Sequence, residues 1–295
     1  MYIKYFHYNI QMKILFLKGP GIHHKNEHAL SLYKNTQFYL IGQIADLDNL
    51  DLSQYDCVYS PSTPIQASKY PNIKFIFGPH FSVFPDERMA IIKAQNAIYI
   101  QPSEWVVQLW KNSQYCEGID VRVIPFAVDI DRFREVLPFH ERTQVFIYYK
   151  NRSPNDINFA IAMLQHHGIV GKVFQYGKYN EAEYLSYLQQ SKYGIIVDAH
   201  ESQGFAIEEA LSCGVPLLVW SINSMNQEYR SSYPDIKATT VPYWDERCGE
   251  VFYEGGEFES KLGVFLSNLD TYRPRDYIVE HLSPDVCEKQ FASLY

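Results

Sequence analysis

Cysteine is scarce. The chain of 295 residues has five, Cys57, Cys116, Cys213, Cys248 and Cys287. They are scattered and odd in number, with no C-x-x-C pair and no Cys/His cluster. Neither a disulfide framework nor a zinc site is indicated, and a reducing, cytoplasmic setting is the simpler expectation. No apolar run approaches the ~20 residues of a membrane span. Met1 to Gln11 lacks the apolar core of a secretion signal and reads as a short lead before the fold. Peripheral contact with a membrane stays open. Positive charge is also short: 26 Lys and Arg stand against 34 Asp and Glu, a formal net charge of -8. Nucleic acid is therefore not expected as a partner, although a small phosphate ligand is allowed. The three-glycine dinucleotide fingerprint is missing. Internal repeats, low-complexity tracts and long charge blocks are absent too.

What is present is an ordinary globular balance, 46% hydrophobic and 20% charged, with room for one large or two medium domains. Its most informative stretch is His200 to Trp220, HESQGFAIEEALSCGVPLLVW. The apolar, β-branched run Tyr193–Ala199 before it predicts a buried strand. A loop follows, then a helix over Phe205–Cys213, ended by Gly214 at a left-handed cap and by Pro216. Val215–Trp220 is a second strand. Strand, loop, helix and strand make a parallel crossover, and its loop falls at the carboxyl edge of the sheet, where open α/β sheets bind ligands. Gly204 admits backbone close to a ligand. The helix start offers N–H groups and a positive dipole end that suit a phosphate. Glu201 on the loop and Glu209 in the helix can accept hydrogen bonds from separate hydroxyls of one extended ligand.

This block resembles the Glu-x7-Glu motif of retaining glycosyltransferases of the GT-B fold, most closely family 4. Glu201, Gly204, Phe205, Glu209, Ala210, Gly214 and Pro216 fall on the family's pattern. The resemblance implies an α/β protein of two Rossmann-like domains facing a central cleft, with a C-terminal helix crossing back. It implies that Glu201 contacts the donor sugar beside the reacting carbon and that Glu209 holds the ribose. Backbone N–H groups around Gly204 and Phe205 would meet the sugar or the distal phosphate. A second match is VRVIPFAVDIDRF at Val121–Phe133, similar to the family's interdomain junction through Val123, Ile124, Pro125, Val128, Asp129 and Phe133. Phe126 and Ala127 replace the usual Asn-Gly. The expected domains are 1–127 for the acceptor, 128–275 for the nucleotide sugar, and a helix over 276–295 packing back.

Other candidates come from strand ends. Met12–Lys18 reads as a first strand running into Gly19-Pro20-Gly21, where Gly19 and Gly21 would line the cleft or simply make a tight turn. Further strands are expected at 37–41, 57–59, 73–77 and 97–100. His80 follows Gly78-Pro79 and could accept a proton from an acceptor hydroxyl or serve only the turn. Ser103 reads as the N-cap of a helix whose buried face includes Trp105 and Trp110. In the second half, Gln144–Tyr149 is a strand followed by Lys150 and Arg152, two cations suited to a departing diphosphate. A helix over Asp156–His167 would bury Phe159, Ile161, Ala162 and Leu164. Lys172–Tyr176 leads to Gly177, Lys178 and Tyr179, where Tyr176 or Tyr179 could stack on a base.

The implied reaction moves a sugar from a UDP or GDP donor to an acceptor hydroxyl, on a glycan, glycoside or protein, with retention. No metal or other cofactor is expected, because Lys150, Arg152 and the helix start can offset the diphosphate charge. Two alternatives are a non-catalytic nucleotide-sugar-binding or scaffold protein and, with less support, a sugar-nucleotide epimerase.

Overall fold

A computed structural model describes residues 11–19, 21–81, 83–85 and 92–295. Residues 1–10 of the lead read over Met1–Gln11, and Pro20, lie outside the described residues. In chain order the elements are β1 Met12–Leu17, α1 His24–Ser31, β2 Thr36–Ile41, β3 Cys57–Ser60, β4 Lys74–Phe77, β5 Ala97–Gln101, α2 Glu104–Lys111, β6 Asp120–Val123, β7 Gln144–Lys150, α3 Pro154–His166, β8 Lys172–Gln175, α4 Glu181–Leu188, β9 Ser191–Asp198, α5 Phe205–Ser212, β10 Leu217–Trp220, β11 Gly249–Phe252, α6 Phe258–Ser267, α7 Pro274–Leu282 and α8 Pro284–Ala292. The strands form two sheets, of six and five strands, ordered β2-β1-β3-β4-β5-β6 and β11-β10-β9-β7-β8. Every pairing within them is parallel. Parallel strands need covered faces, which is why these read as continuous apolar runs.

The chain divides into two compact units. One takes the chain up to Pro102, Trp110–Ala127 and Asp285–Tyr295; the other takes Ser103–Leu109 and Val128–Pro284. The stretch 276–295 is not a single returning helix. α7 stays with the second unit and only the segment from Asp285 joins the first. Two features hold α8 to that first unit. Phe291 sets its ring against Tyr33, Phe38 and Tyr59 at 5.5–6.3 Å. Glu288, 4% exposed, accepts from Lys34 N, Asn35 N, Asn35 Nδ2 and Thr36 Oγ1 at 2.6–3.2 Å. A buried carboxylate that caps a turn so fully is strongly coupled to the fold. Glu288→Ala is expected to destabilise this unit by about 2–4 kcal/mol, seen as an earlier melting transition, with Glu288→Gln keeping part of the loss away.

Two expectations about helices need correction. On α3 the buried stripe is Ile157, Ala160 and Leu164, the i, i+3, i+7 set. Ala162 is exposed and Phe159 is 39% exposed, Phe159 packing edge-on against Trp220 and Phe258. At α2 the Ser103 hydroxyl is buried and makes no hydrogen bond among the described residues, so it does not cap that helix.

Each sheet has a point where the chain reverses its direction of travel across the strands. In the first it lies between β1 and β3, in the second between β7 and β9. Ligand crevices of open α/β sheets open at the carboxyl ends of such strand pairs.

Candidate active site

The second sheet's reversal point carries the motif. β7 and β9 run in register with Lys150 opposite Asp198, so the residues just after both strands share one edge. The chain leaves β9 at Asp198, turns through Ala199–Gln203 and enters α5 at Gly204, whose φ of +98° is left-handed. A Cβ there would also meet the Glu201 side chain at 3.6 Å, so glycine fits this helix start for backbone reasons. The far end of α5 is held as firmly. The buried Arg142 donates to Cys213 O and Gly214 O, and Arg275 donates to Ser212 O and Phe133 O. Cations on terminal carbonyls complement the helix dipole. Gly214 takes the left-handed conformation read from the sequence, at φ +70°.

Glu201 forms an ion pair with Lys150, both side chains mostly buried. The Lys150 Nζ also sits over the Tyr176 ring, 4.6 Å from its centre. Burial works against the Lys150 charge, but the Glu201 and Asp198 carboxylates more than offset it and hold the ammonium above its ordinary range. Glu201's backbone is fixed from both sides, its N–H donating to Thr239 O at 3.0 Å and its carbonyl accepting from Trp105 Nε1 at 2.8 Å.

Asp198, which the sequence did not single out, completes the group. It is fully buried; Oδ1 accepts from Ala199 N at 2.7 Å, while no donor meets Oδ2 among the described residues. Burial, and then the Glu201 carboxylate, push the Asp198 carboxyl well up, with Lys150 offsetting only part. Glu201 goes the other way: burial opposes its charge, but Lys150 outweighs it and, with Asp198, holds it down. The protonated form is thus favoured at Asp198 and the ionised form at Glu201. The sign for stability follows. The folded state holds a proton that the unfolded chain releases above about pH 4, so this site lowers stability as pH climbs. Asp198→Asn keeps a donor and removes that cost. It is expected to match the wild type in activity at pH 7 and to out-melt it by a margin that widens as pH rises above about 4.

The remaining predicted residues divide. Arg152 is buried and its guanidinium is taken up by protein groups: Nε donates to Asp156 Oδ2 at 2.9 Å, Nη1 to Asp198 O and Trp220 O at 3.3 and 3.2 Å, and the group stacks over Trp220. It ties the ends of β7, β9 and β10 together. Glu209 is buried on α5. Burial and then its carboxylate raise the Tyr179 hydroxyl, which places it beside the turn after β8. Tyr176, half exposed, and the exposed Lys178 lie on that same turn, with Gly177 left-handed between them. Phe205 opens α5, partly exposed.

Gly19, Gly21 and His80 belong to the first unit. At Gly19 a Cβ would meet Thr63 Oγ1 at 2.5 Å and Ser62 Oγ at 2.9 Å, so any side chain there must turn those hydroxyls aside; Gly21 is left-handed, at φ +85°. His80 Nε2 lies 3.2 Å from Asn26 Nδ2. Burial, and then His23, push its pKa down to about 4. It is neutral at pH 7, a hydrogen-bond partner but a weak proton acceptor. Among the described residues no three His, Cys, Asp or Glu side chains group to hold a metal ion. The two Asp-x-Asp spacings serve local structure, Asp48 accepting from Tyr70 OH and Asp129 from Arg132 N.

Scanned against protein-family models and against curated proteins, the chain matches none. Solved structures do match over almost the whole chain, and they define the fold class: two parallel α/β sheets of the GT-B kind. AviGT4, a glycosyltransferase of avilamycin A biosynthesis, aligns with a TM-score of 0.57 at 15% identity over 96% of each chain. The lipopolysaccharide outer core galactosyltransferase WaaB aligns at 0.56 and 14%, over 96% of this chain and 98% of its own. HepE of Anabaena, solved with UDP and glucose, aligns at 0.52 and 12%, over 96% and 99%. Identity this low shows the fold.

Proposed function

We propose that the protein is a glycosyltransferase that moves a sugar from a UDP or GDP donor to an acceptor hydroxyl, family 4-like, retaining and independent of metal. The observation that carries this reading is the placement of Lys150 and Glu201 at the reversal point of the second sheet, beside a glycine-started helix that bears Glu209. Neighbours of the same fold include one solved with UDP and glucose. On this reading the diphosphate meets the N–H groups at the start of α5 and draws Lys150 from Glu201. Glu201, released, accepts from sugar hydroxyls. Glu209 faces the ribose, and Tyr176 or Tyr179 the base. Lys150, rather than Arg152, assists departure of the nucleoside diphosphate, because Nε and Nη1 of the buried Arg152 are already engaged by Asp156 and by two backbone carbonyls. Neutral His80 orients a hydroxyl instead of storing its proton.

Titration with UDP and GDP, followed by hydrolysis or transfer assays with their sugars, tests it. Binding of one nucleotide with donor turnover supports transfer; epimer formation would replace it. The engagement of both Lys150 and Arg152 by protein groups favours a second reading, a nucleotide-sugar-binding protein without turnover. That reading is met by thermal stabilisation alone.

A further inference from the structure

The segment 221–248 joining β10 to β11 is built over the same sheet edge. Tyr229 N donates to Asn151 O at 2.9 Å, just past β7, and Thr239 O accepts from Glu201 N at 3.0 Å. Thr240 Oγ1 donates to Asp198 O at 3.3 Å. Between these anchors stands Glu228, 19% exposed at its side chain, with its Oε2 2.8 Å from Nε2 of His200. His200 precedes Glu201 in the chain. Its ring is gripped edge-on by Trp105 and Tyr233, at 5.6 and 5.5 Å between centres. Its Nε2 is buried and out of line for a hydrogen bond with Glu228. Burial, and then Lys150, push the His200 pKa to about 4 despite the pull of Glu201. The imidazole is therefore neutral at pH 7 and does not cancel the Glu228 charge. Burial raises the Glu228 carboxyl, Lys150 opposing the rise and Glu201 adding to it, so its carboxylate lies within electrostatic reach of the ion pair.

The edge that would receive the sugar thus carries two carboxylates, Glu201 and Glu228. Lys150 is committed to Glu201 or an arriving diphosphate, Arg152 meets Asp156 and two backbone carbonyls, and Arg230 lies over the Tyr229 ring. We propose that Glu228, set beside His200, is a specificity-determining residue that admits neutral sugars and turns away uronates. This rests on the donor site proposed above. A hydroxyl can donate to either carboxylate, whereas a sugar carboxylate brings like charge into a half-buried place and gains no partner.

The test measures binding of UDP, UDP-glucose and UDP-glucuronate to the full chain at pH 7, or of GDP, GDP-mannose and GDP-mannuronate if GDP is the nucleotide that binds. The wild type is expected to hold the neutral-sugar donor about tenfold or more tighter than the uronate. Glu228→Gln should bring the two within about threefold, and Glu228→Lys should invert them, with affinity for the bare nucleotide unchanged in both. Circular dichroism and melting check that each variant folds. An unaltered preference in folded Glu228→Gln and Glu228→Lys overturns the assignment. Equal tightening of UDP itself overturns it too, by placing Glu228 at the phosphates. If neither UDP nor GDP binds the wild type, the donor site falls, and this inference with it.

Discussion

Replacing Lys150 by methionine should steepen the fall of stability with rising pH as well as abolish turnover. In the wild type Glu201 is held below its ordinary range by Lys150 and Asp198 against the pull of burial. Its contribution is present above the unfolded carboxyl value, about pH 4.3, and is lost as pH falls through the lower folded value. Without the ammonium, burial prevails and the same carboxyl rises. The folded protein then takes up a proton that the unfolded chain releases, so stability declines as pH climbs from about 4 toward 8. At pH 7 the loss is expected to be about 3–5 kcal/mol, the cost of leaving one partner of a buried pair uncompensated. Adding Glu201→Gln to Lys150→Met removes the orphaned charge and should restore most of it. Donor cleavage has no such rescue. A cation aimed at a developing diphosphate is worth about 10²–10³ in rate, and the double variant should stay inactive. Melting curves across pH with a single-turnover assay separate the two effects. A Lys150→Met protein with the wild-type pH slope would remove the ion pair from this account.

Much of this arrangement could be read from residues in order, and the part that could not is of one kind. The strands were legible because parallel sheets bury both faces, so runs such as Phe146–Tyr148 and Ile195–Val197 announce themselves. The turn at Gly204 and the stop at Gly214 were legible because only a left-handed backbone makes glycine there necessary. Polar α1, short β11 and the α6–α7 pair were not, since their burial depends on partners distant in sequence. The site shows the same limit. Glu201, Glu209 and Lys150 lie on strand ends or in a motif, and position alone exposes them. Asp198 looks like the last residue of a strand until its register with Lys150 is known. Glu228 looks like a solvated loop residue until the segment 221–248 folds over His200. Arg152 shows the same limit: two residues past Lys150 it reads as an equal cation, and only the fold reveals that its Nε and Nη1 meet Asp156 and the carbonyls of Asp198 and Trp220.

Glu201→Gln is expected to separate binding from chemistry. Glutamine keeps the shape and an acceptor oxygen, but it loses the charge that would steady a developing positive centre on the sugar. Transfer should fall about 10²–10³-fold, while affinity for the bare nucleotide stays within about threefold. The fold should survive this change better than Lys150→Met, for a reason internal to the cluster. Asp198 is kept protonated by burial and by Glu201 together. Once Glu201 is neutral, Lys150 remains beside Asp198, which can ionise and replace the lost partner. Glu209→Ala gives the complementary result. Its carboxylate acts on the Tyr179 hydroxyl, so on the proposed reading the loss should appear as roughly tenfold weaker binding of nucleotide and of nucleotide sugar alike, the scale of one charge-assisted hydrogen bond. Calorimetry with the nucleotide and a turnover assay with its sugar decide between these patterns. If Glu201→Gln weakens the bare nucleotide as much as it slows transfer, then Glu201 faces the phosphates, and the sugar lies elsewhere on this edge.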